Sequence, residues 1–102
     1  ERLENQQIEI TLYRILQESI NNIIKYSKAK NVSIQLKDYD ELYMLTIEDD
    51  GVGFDINKIT EKNRGLGFQS MRNRVDAING FLEIDSRIGR GTTILVEINK
   101  SV

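Results

Sequence analysis

The chain has 102 residues, 39% of them hydrophobic, with 14 basic and 16 acidic side chains and a net charge of −2. That length suits one domain, 1–102, with a real core, and the scattered basic residues leave no electrostatic footprint for nucleic acid. Histidine and cysteine are both absent, which excludes disulfides, thiolate chemistry, imidazole bases and the usual zinc sites. No apolar run approaches the roughly 20 residues of a membrane span and no signal-peptide pattern opens the chain, so the expected setting is cytoplasmic, whether or not a longer protein is membrane-bound.

From Ile8 to Ser27, Leu12, Ile15, Leu16, Ile20, Ile23 and Ile24 recur at helical spacing. On a wheel of about 100° per residue, Leu12, Leu16, Ile20, Ile23 and Ile24 are read as the packed face, with Glu18, Asn22 and Lys25 opposite and Tyr26 at its edge. Residues 31–37 alternate, with Val32, Ile34 and Leu36 on one side, and predict a half-buried strand. Asp38 to Glu41 is a polar turn, and Leu42 to Asp49 is a second strand with Tyr43, Leu45 and Ile47 in step. The segment from Asp55 to Arg64 is polar and weakly patterned, a loop. From Gly67 to Ile78, Phe68, Met71, Val75 and Ile78 share a face, predicting a helix stopped by Asn79-Gly80. Residues 81–87 and 92–99 are two more alternating strands around Gly89-Arg90-Gly91. The order helix, two strands, glycine loop, helix, two strands predicts an α+β two-layer sandwich, with helices on one face of a mixed sheet.

Asparagine is a mediocre helix former, yet Asn21 and Asn22 sit in the middle of the first helix. Glu18 and Asn22, one turn apart, offer oxygens that suit a magnesium ion bridging phosphates, and Lys25 one turn later offers a point charge to those phosphates. Strand parity sends Asp49 in the direction of Tyr43, Leu45 and Ile47, so its carboxylate points inward and needs a partner. The amino group of a purine would serve, with Asp49 accepting. Gly51 and Gly53 permit close approach to a flat base, and Gly65 and Gly67 stand before the second helix, where free N–H groups favour phosphate. Gly91 and Thr92 follow a hairpin turn and carry a weaker expectation of ligand contact.

Taken together, the segments Leu12–Tyr26, Asp49-Asp50-Gly51-Val52-Gly53-Phe54, Gly65-Leu66-Gly67-Phe68 and Gly89-Arg90-Gly91-Thr92 resemble, in order, the asparagine box and the successive glycine boxes of one family. It is the catalytic, ATP-binding domain of bacterial two-component sensor histidine kinases, of the GHKL or Bergerat-fold type. Leu12-Tyr13-Arg14-Ile15-Leu16-Gln17-Glu18 and Ser70-Met71-Arg72-Asn73-Arg74-Val75 are most similar to its NarX/DesK-like branch. The resemblance implies ATP and Mg2+ as cofactors, with Asn22 ligating the metal and Glu18 orienting it or a water. It implies Lys25 and Tyr26 on phosphate, Asp49 on the adenine amino group, Gly51 and Gly53 along the base, and Gly65, Leu66 and Gly67 over the phosphates. Outside the motif itself, Lys58, Lys62 and Arg64 fall in the expected lid, where they could also reach phosphate, and Thr92 keeps the weaker expectation of ligand contact given above. The branch commonly has histidine where Tyr26 stands, which bears on the detail of that contact.

Such kinases phosphorylate a histidine on a separate dimerisation domain, for relay to a response regulator. A chain with no histidine has no acceptor of its own, so the isolated domain is expected to be a monomer that binds ATP without phosphorylating itself. Two alternatives share the residues: another GHKL-type ATPase or anti-sigma-type serine kinase, and a non-catalytic interaction module that kept the nucleotide site.

Overall fold

The computed structural model describes residues 2–53 and 68–100, with side chains from residue 6. Helix α1 spans Arg2–Asn22 and runs directly into a π-helical turn, Ile23–Ser27, which Lys28 ends in the left-handed conformation (φ 55°). Strands β1 (Val32–Asp38) and β2 (Leu42–Asp49) form a hairpin, and helix α2 (Phe68–Asp76) crosses to a second hairpin of β3 (Phe81–Arg87) and β4 (Gly91–Asn99). The strand order is β1-β2-β4-β3. The stop signal for α2 behaves as its sequence predicts: Asn79 takes a positive φ of 56°, and the Gly80 N–H returns to the Val75 carbonyl at 2.9 Å.

The helices pack on the sheet as expected, but the sheet is not mixed in its described pairings: all three are antiparallel. The crossover through α2 does make β2 and β3 run in the same direction. They never touch, because β4 returns between them and pairs antiparallel with both.

Pairing register builds three rows across the helix-facing side. Leu36, Leu45, Val96 and Leu82 form one, and Ile34, Ile47, Ile94 and Ile84 the next. The third row is Val32, Asp49, Thr92 and Ser86, so the apolar pattern gives way to polar groups at one end of the sheet. The core consists of Leu45 and Ile47 of β2, Ile94, Val96 and Ile98 of β4, Leu82 of β3, Met71 and Val75 of α2, and Ile8, Leu12 and Ile15 of α1.

Two expectations about burial need correction. The sheet-facing arc of α1 is Ile8, Thr11, Leu12, Ile15 and Ser19, all buried, whereas Leu16 and Ile20 lie half-buried beside it and Ile24 is 75% exposed. A wheel scored on apolar residues alone rotates away from the true interior, because two interior positions carry hydroxyls. The strand β1, expected half-buried, is exposed along its whole length, with Val32 and Ile34 each 44% and Leu36 56% accessible. It is an edge strand, and the core built on α1 and α2 is centred on β2 and β4.

Candidate functional site: a cavity at the polar end of the sheet

Correcting the face of α1 changes where the site sits. Ser19, Asn22, Ile23 and Tyr26 follow one another at spacings of three, one and three residues, a continuation of the core stripe rather than the opposite surface. They line one side of a cavity of about 130 Å³. Asp49, Val52, Gly53, Thr92 and Ile94 come from the sheet end and the loop after β2, with Phe68 from the start of α2 and Ser27 from the π turn. Pockets that swallow a whole drug-sized molecule run to roughly 300–1,000 Å³, so this one suits a single flat ring system with the rest of the ligand outside. Among its described lining residues Ile23, Val52, Phe68 and Ile94 supply apolar wall, and Ser19, Asn22, Tyr26, Ser27, Asp49 and Thr92 supply polar groups, a mixture that suits a specific small-molecule site.

Asp49 is held firmly within it. Ser27 Oγ donates to Asp49 Oδ1 at 2.9 Å and the Gly51 N–H donates to the same oxygen at 2.8 Å, while Oδ2 takes no hydrogen bond from any described residue. The carboxylate is thus fixed through one oxygen and leaves its other lone pairs for something else. Its neighbour Asp50 does the opposite job. It faces outward and accepts from the Lys30 N–H at 2.8 Å, the Asn31 N–H at 2.9 Å and Asn31 Nδ2 at 3.0 Å, tying β1's entry to β2's exit.

The Asn31 N–H and side-chain amide, followed by the Lys30 N–H, hold the Asp50 carboxyl below its usual range. A depressed folded-state pKa means that its stabilisation is present above the unfolded value, near 4, and lost as pH falls through the folded one. Comparing acid-unfolding curves of the chain and of Asp50→Asn between pH 2 and 5 should show a shallower acid limb in the variant, with the two converging at the acid end.

The glycines of the site are fixed by the protein's own backbone. A Cβ on Gly51 would lie 2.2 Å from the Ser27 carbonyl oxygen, and one on Gly53 (φ 66°) would lie 2.0 Å from that of Arg87. Hydrogen bonds run alongside: Val52 N–H to the Ser27 carbonyl and Gly89 N–H to the Val52 carbonyl, both at 2.7 Å. The loop after β2 is thereby clamped between the π turn and the β3–β4 hairpin. Gly53 lines the cavity; Gly51 is buried against Ser27 and does not line it.

Tyr26 and Thr92 line the cavity; the Ser86 hydroxyl lies 2.8 Å from Thr92 Oγ1 and donates to the Gly91 carbonyl at 3.0 Å. Lys25 is exposed and does not line it. Glu18 also stays outside: Ser70 Oγ and Arg74 Nε of α2 each lie 3.4 Å from its Oε1. The pair of oxygens expected from Glu18 and Asn22 therefore does not converge on the cavity wall, because Glu18 turns toward α2. Arg64, Gly65, Leu66 and Gly67, with Lys58 and Lys62, lie outside the described residues.

Six described lining residues were not among the expected site residues: Ser19, Ile23, Ser27, Val52, Phe68 and Ile94. Ser19 carried a usable signal, a polar residue in phase with Ile8, Leu12 and Ile15. Ser27 and Ile94 carried none, since only the fold brings them beside Asp49.

Comparison with known proteins agrees with this geometry. Residues 7–102 match the family described as histidine kinase-, DNA gyrase B-, and HSP90-like ATPase, and the chain belongs to it. It is similar to the signal transduction histidine-protein kinase/phosphatase DegS of Bacillus subtilis, 35% identical over 97 residues that cover 94% of this chain and 25% of DegS. Against the sensor histidine kinase ComP of the same species it is 40% identical over 90 residues, 88% of this chain and 12% of ComP. Among solved structures, the blue-light activated histidine kinase of Erythrobacter litoralis EL346 superposes with a TM-score of 0.73 at 21% identity, over 89% of this chain and 30% of that one. The Acinetobacter baumannii histidine kinase AdeS gives 0.67 at 24% identity, over 100% and 48%; at these identities the likeness concerns the fold. Within the family, then, this is an ATP-binding catalytic domain of the sensor histidine kinase kind, and it spans a quarter or less of the length of DegS and ComP.

Proposed function

We propose that the chain binds Mg-ATP in this cavity and donates the γ-phosphate to a histidine on a separate dimerisation domain of a longer, cytoplasmically active signalling protein, which passes it on to a response regulator. The observation that carries the reading is the anchored Asp49: a carboxylate held through one oxygen, inside a ring-sized apolar cavity, in a chain of this family. Its second oxygen suits the exocyclic amino group of adenine, with Ile23, Val52, Phe68 and Ile94 around the ring. The ribose and phosphates then extend past Asn22 and Tyr26.

The donor set fits magnesium. Mg2+ keeps several waters and takes few protein oxygens beside those of phosphates, and the Asn22 side chain supplies one such oxygen at the cavity wall. Glu18 belongs one layer out, where its contacts with Ser70 and Arg74 hold it beside Asn22's helix turn. When bound, the metal neutralises phosphate charge and orients the chain of phosphates. The protein's part is positioning and electrostatics, as phosphoryl transfer requires: the base is gripped, Asn22 sets the metal, and Lys25 adds positive charge at the rim. The acceptor nitrogen attacks phosphorus, the bond to the bridging oxygen breaks and ADP leaves. Since the chain has no histidine, the acceptor comes from elsewhere.

Titration with a slowly hydrolysed ATP analogue, with and without Mg2+, tests this directly. Magnesium should strengthen binding to the wild-type chain, and Asn22→Ala should erase at least about tenfold of that gain, since even outer-shell changes at metal sites cost this much. Binding that is indifferent to magnesium, or a variant that keeps the full gain, would sink the metal assignment.

A further inference from the structure

Ser19 sits in the core stripe of α1, is 1% exposed, and its hydroxyl has no hydrogen-bond partner among the described residues. A buried hydroxyl without a partner is costly, and native proteins leave few of them. A serine inside a helix ordinarily escapes the problem by donating to the carbonyl one turn back, and Ser19 does not. It is also a lining residue of the cavity that holds Asp49 and Thr92.

We propose that Ser19 is a specificity-determining contact of the nucleotide site, its hydroxyl donating to a ring nitrogen of the bound purine, directly or through one water. This rests on the nucleotide reading given above and adds a donor to it. The two groups are complementary: Asp49 is acceptor-only when ionised and suits an amino group, whereas a hydroxyl can supply a proton to an unprotonated ring nitrogen. Adenine presents both on its polar edges. A base with an oxo group at position 6 turns an acceptor toward the Asp49 carboxylate, and one protonated at the adjacent nitrogen turns a donor toward Ser19. The hydroxyl, unsatisfied in the protein alone, becomes satisfied when the base arrives.

The test is a cycle between side chain and base. Binding of ADP with Mg2+, and of its 1-deaza, 3-deaza and 7-deaza analogues, is measured for the wild-type chain, Ser19→Ala and Ser19→Cys. Loss of one neutral hydrogen bond should weaken ADP binding about threefold to tenfold in Ser19→Ala. One of the three deaza analogues should bind wild type more weakly by a similar factor and show no further loss in the variant. Thermal unfolding without nucleotide supplies the readout that a structural role would not give: Ser19→Ala should melt no lower than wild type, because it removes an unsatisfied group and improves helix propensity. ADP binding to Ser19→Ala within twofold of wild type, or deaza penalties identical in both proteins, would overturn the proposal while the nucleotide reading survives. A lower melting point with unchanged binding would make Ser19 a packing residue and overturn it equally. Failure of the wild-type chain to bind ADP at all would remove both.

Discussion

Asp49→Asn should abolish useful ATP binding while leaving the fold intact. The side-chain oxygen of asparagine can replace Asp49 Oδ1 and still accept from Ser27 Oγ and the Gly51 N–H, the two bonds that fix the end of β2. What changes is the other position, where an acceptor becomes an NH2 donor facing the donor of adenine. Losing a charge-assisted bond costs about 1.5–3 kcal/mol, and opposed donors add to it, so a loss of about 100-fold is expected by titration calorimetry. Melting temperature without nucleotide should move little. The same swap should change preference, since a 6-oxo purine offers an acceptor to the new donor: the variant should favour inosine or guanosine nucleotides over ATP. Asp49→Ala should differ by losing stability as well as binding, because it frees both Ser27 and Gly51. If Asp49→Asn bound ATP within a few-fold of wild type, the carboxylate would have no role in reading the base.

The order of elements was legible because the patterns that define them are local. The boundaries of β2 and β3 follow from alternation, and Asn79-Gly80 stops α2 as its backbone chemistry requires. The inward direction of Asp49 was legible too, since strand parity ties it to Leu45 and Ile47, both buried. The rotation of α1 was not, because its interior arc includes Thr11 and Ser19, and hydrophobic spacing assigns such residues to the wet side. That one error placed Asn22 on the wrong surface relative to the core and hid Ser19 altogether. The antiparallel sheet was also out of reach: a helical crossover fixes the directions of β2 and β3, but nothing local says that β4 will come between them. Glycine roles were half legible. Gly51 and Gly53 do mark close approaches, but the approaching groups are carbonyls of Ser27 and Arg87, partners set by tertiary structure.

A third close approach, at Gly91, makes the strongest stability prediction. Gly91 and Gly89 both have a positive φ, 89° and 83°, so replacing either by alanine incurs backbone strain, about 1–3 kcal/mol. Their surroundings differ. A Cβ on Gly89 meets nothing within 4 Å, whereas one on Gly91 would lie 2.0 Å from the Asp49 carbonyl oxygen and 3.0 Å from Asp50 Cα. Both of those atoms are backbone and cannot swing away, so β2 and β4 must part where Asp49 faces Thr92. Gly89→Ala should therefore cost the strain alone, and Gly91→Ala about 3 kcal/mol or more from a total of roughly 5–15, lowering the melting temperature by at least about 12 °C. The loss should extend to nucleotide binding at a temperature where the variant is still folded, because displacing Asp49's backbone moves the carboxylate proposed above to read the base. Equal melting points for the two variants would mean that the sheet yields freely at Gly91, and that Asp49 is not held by the packing that surrounds it.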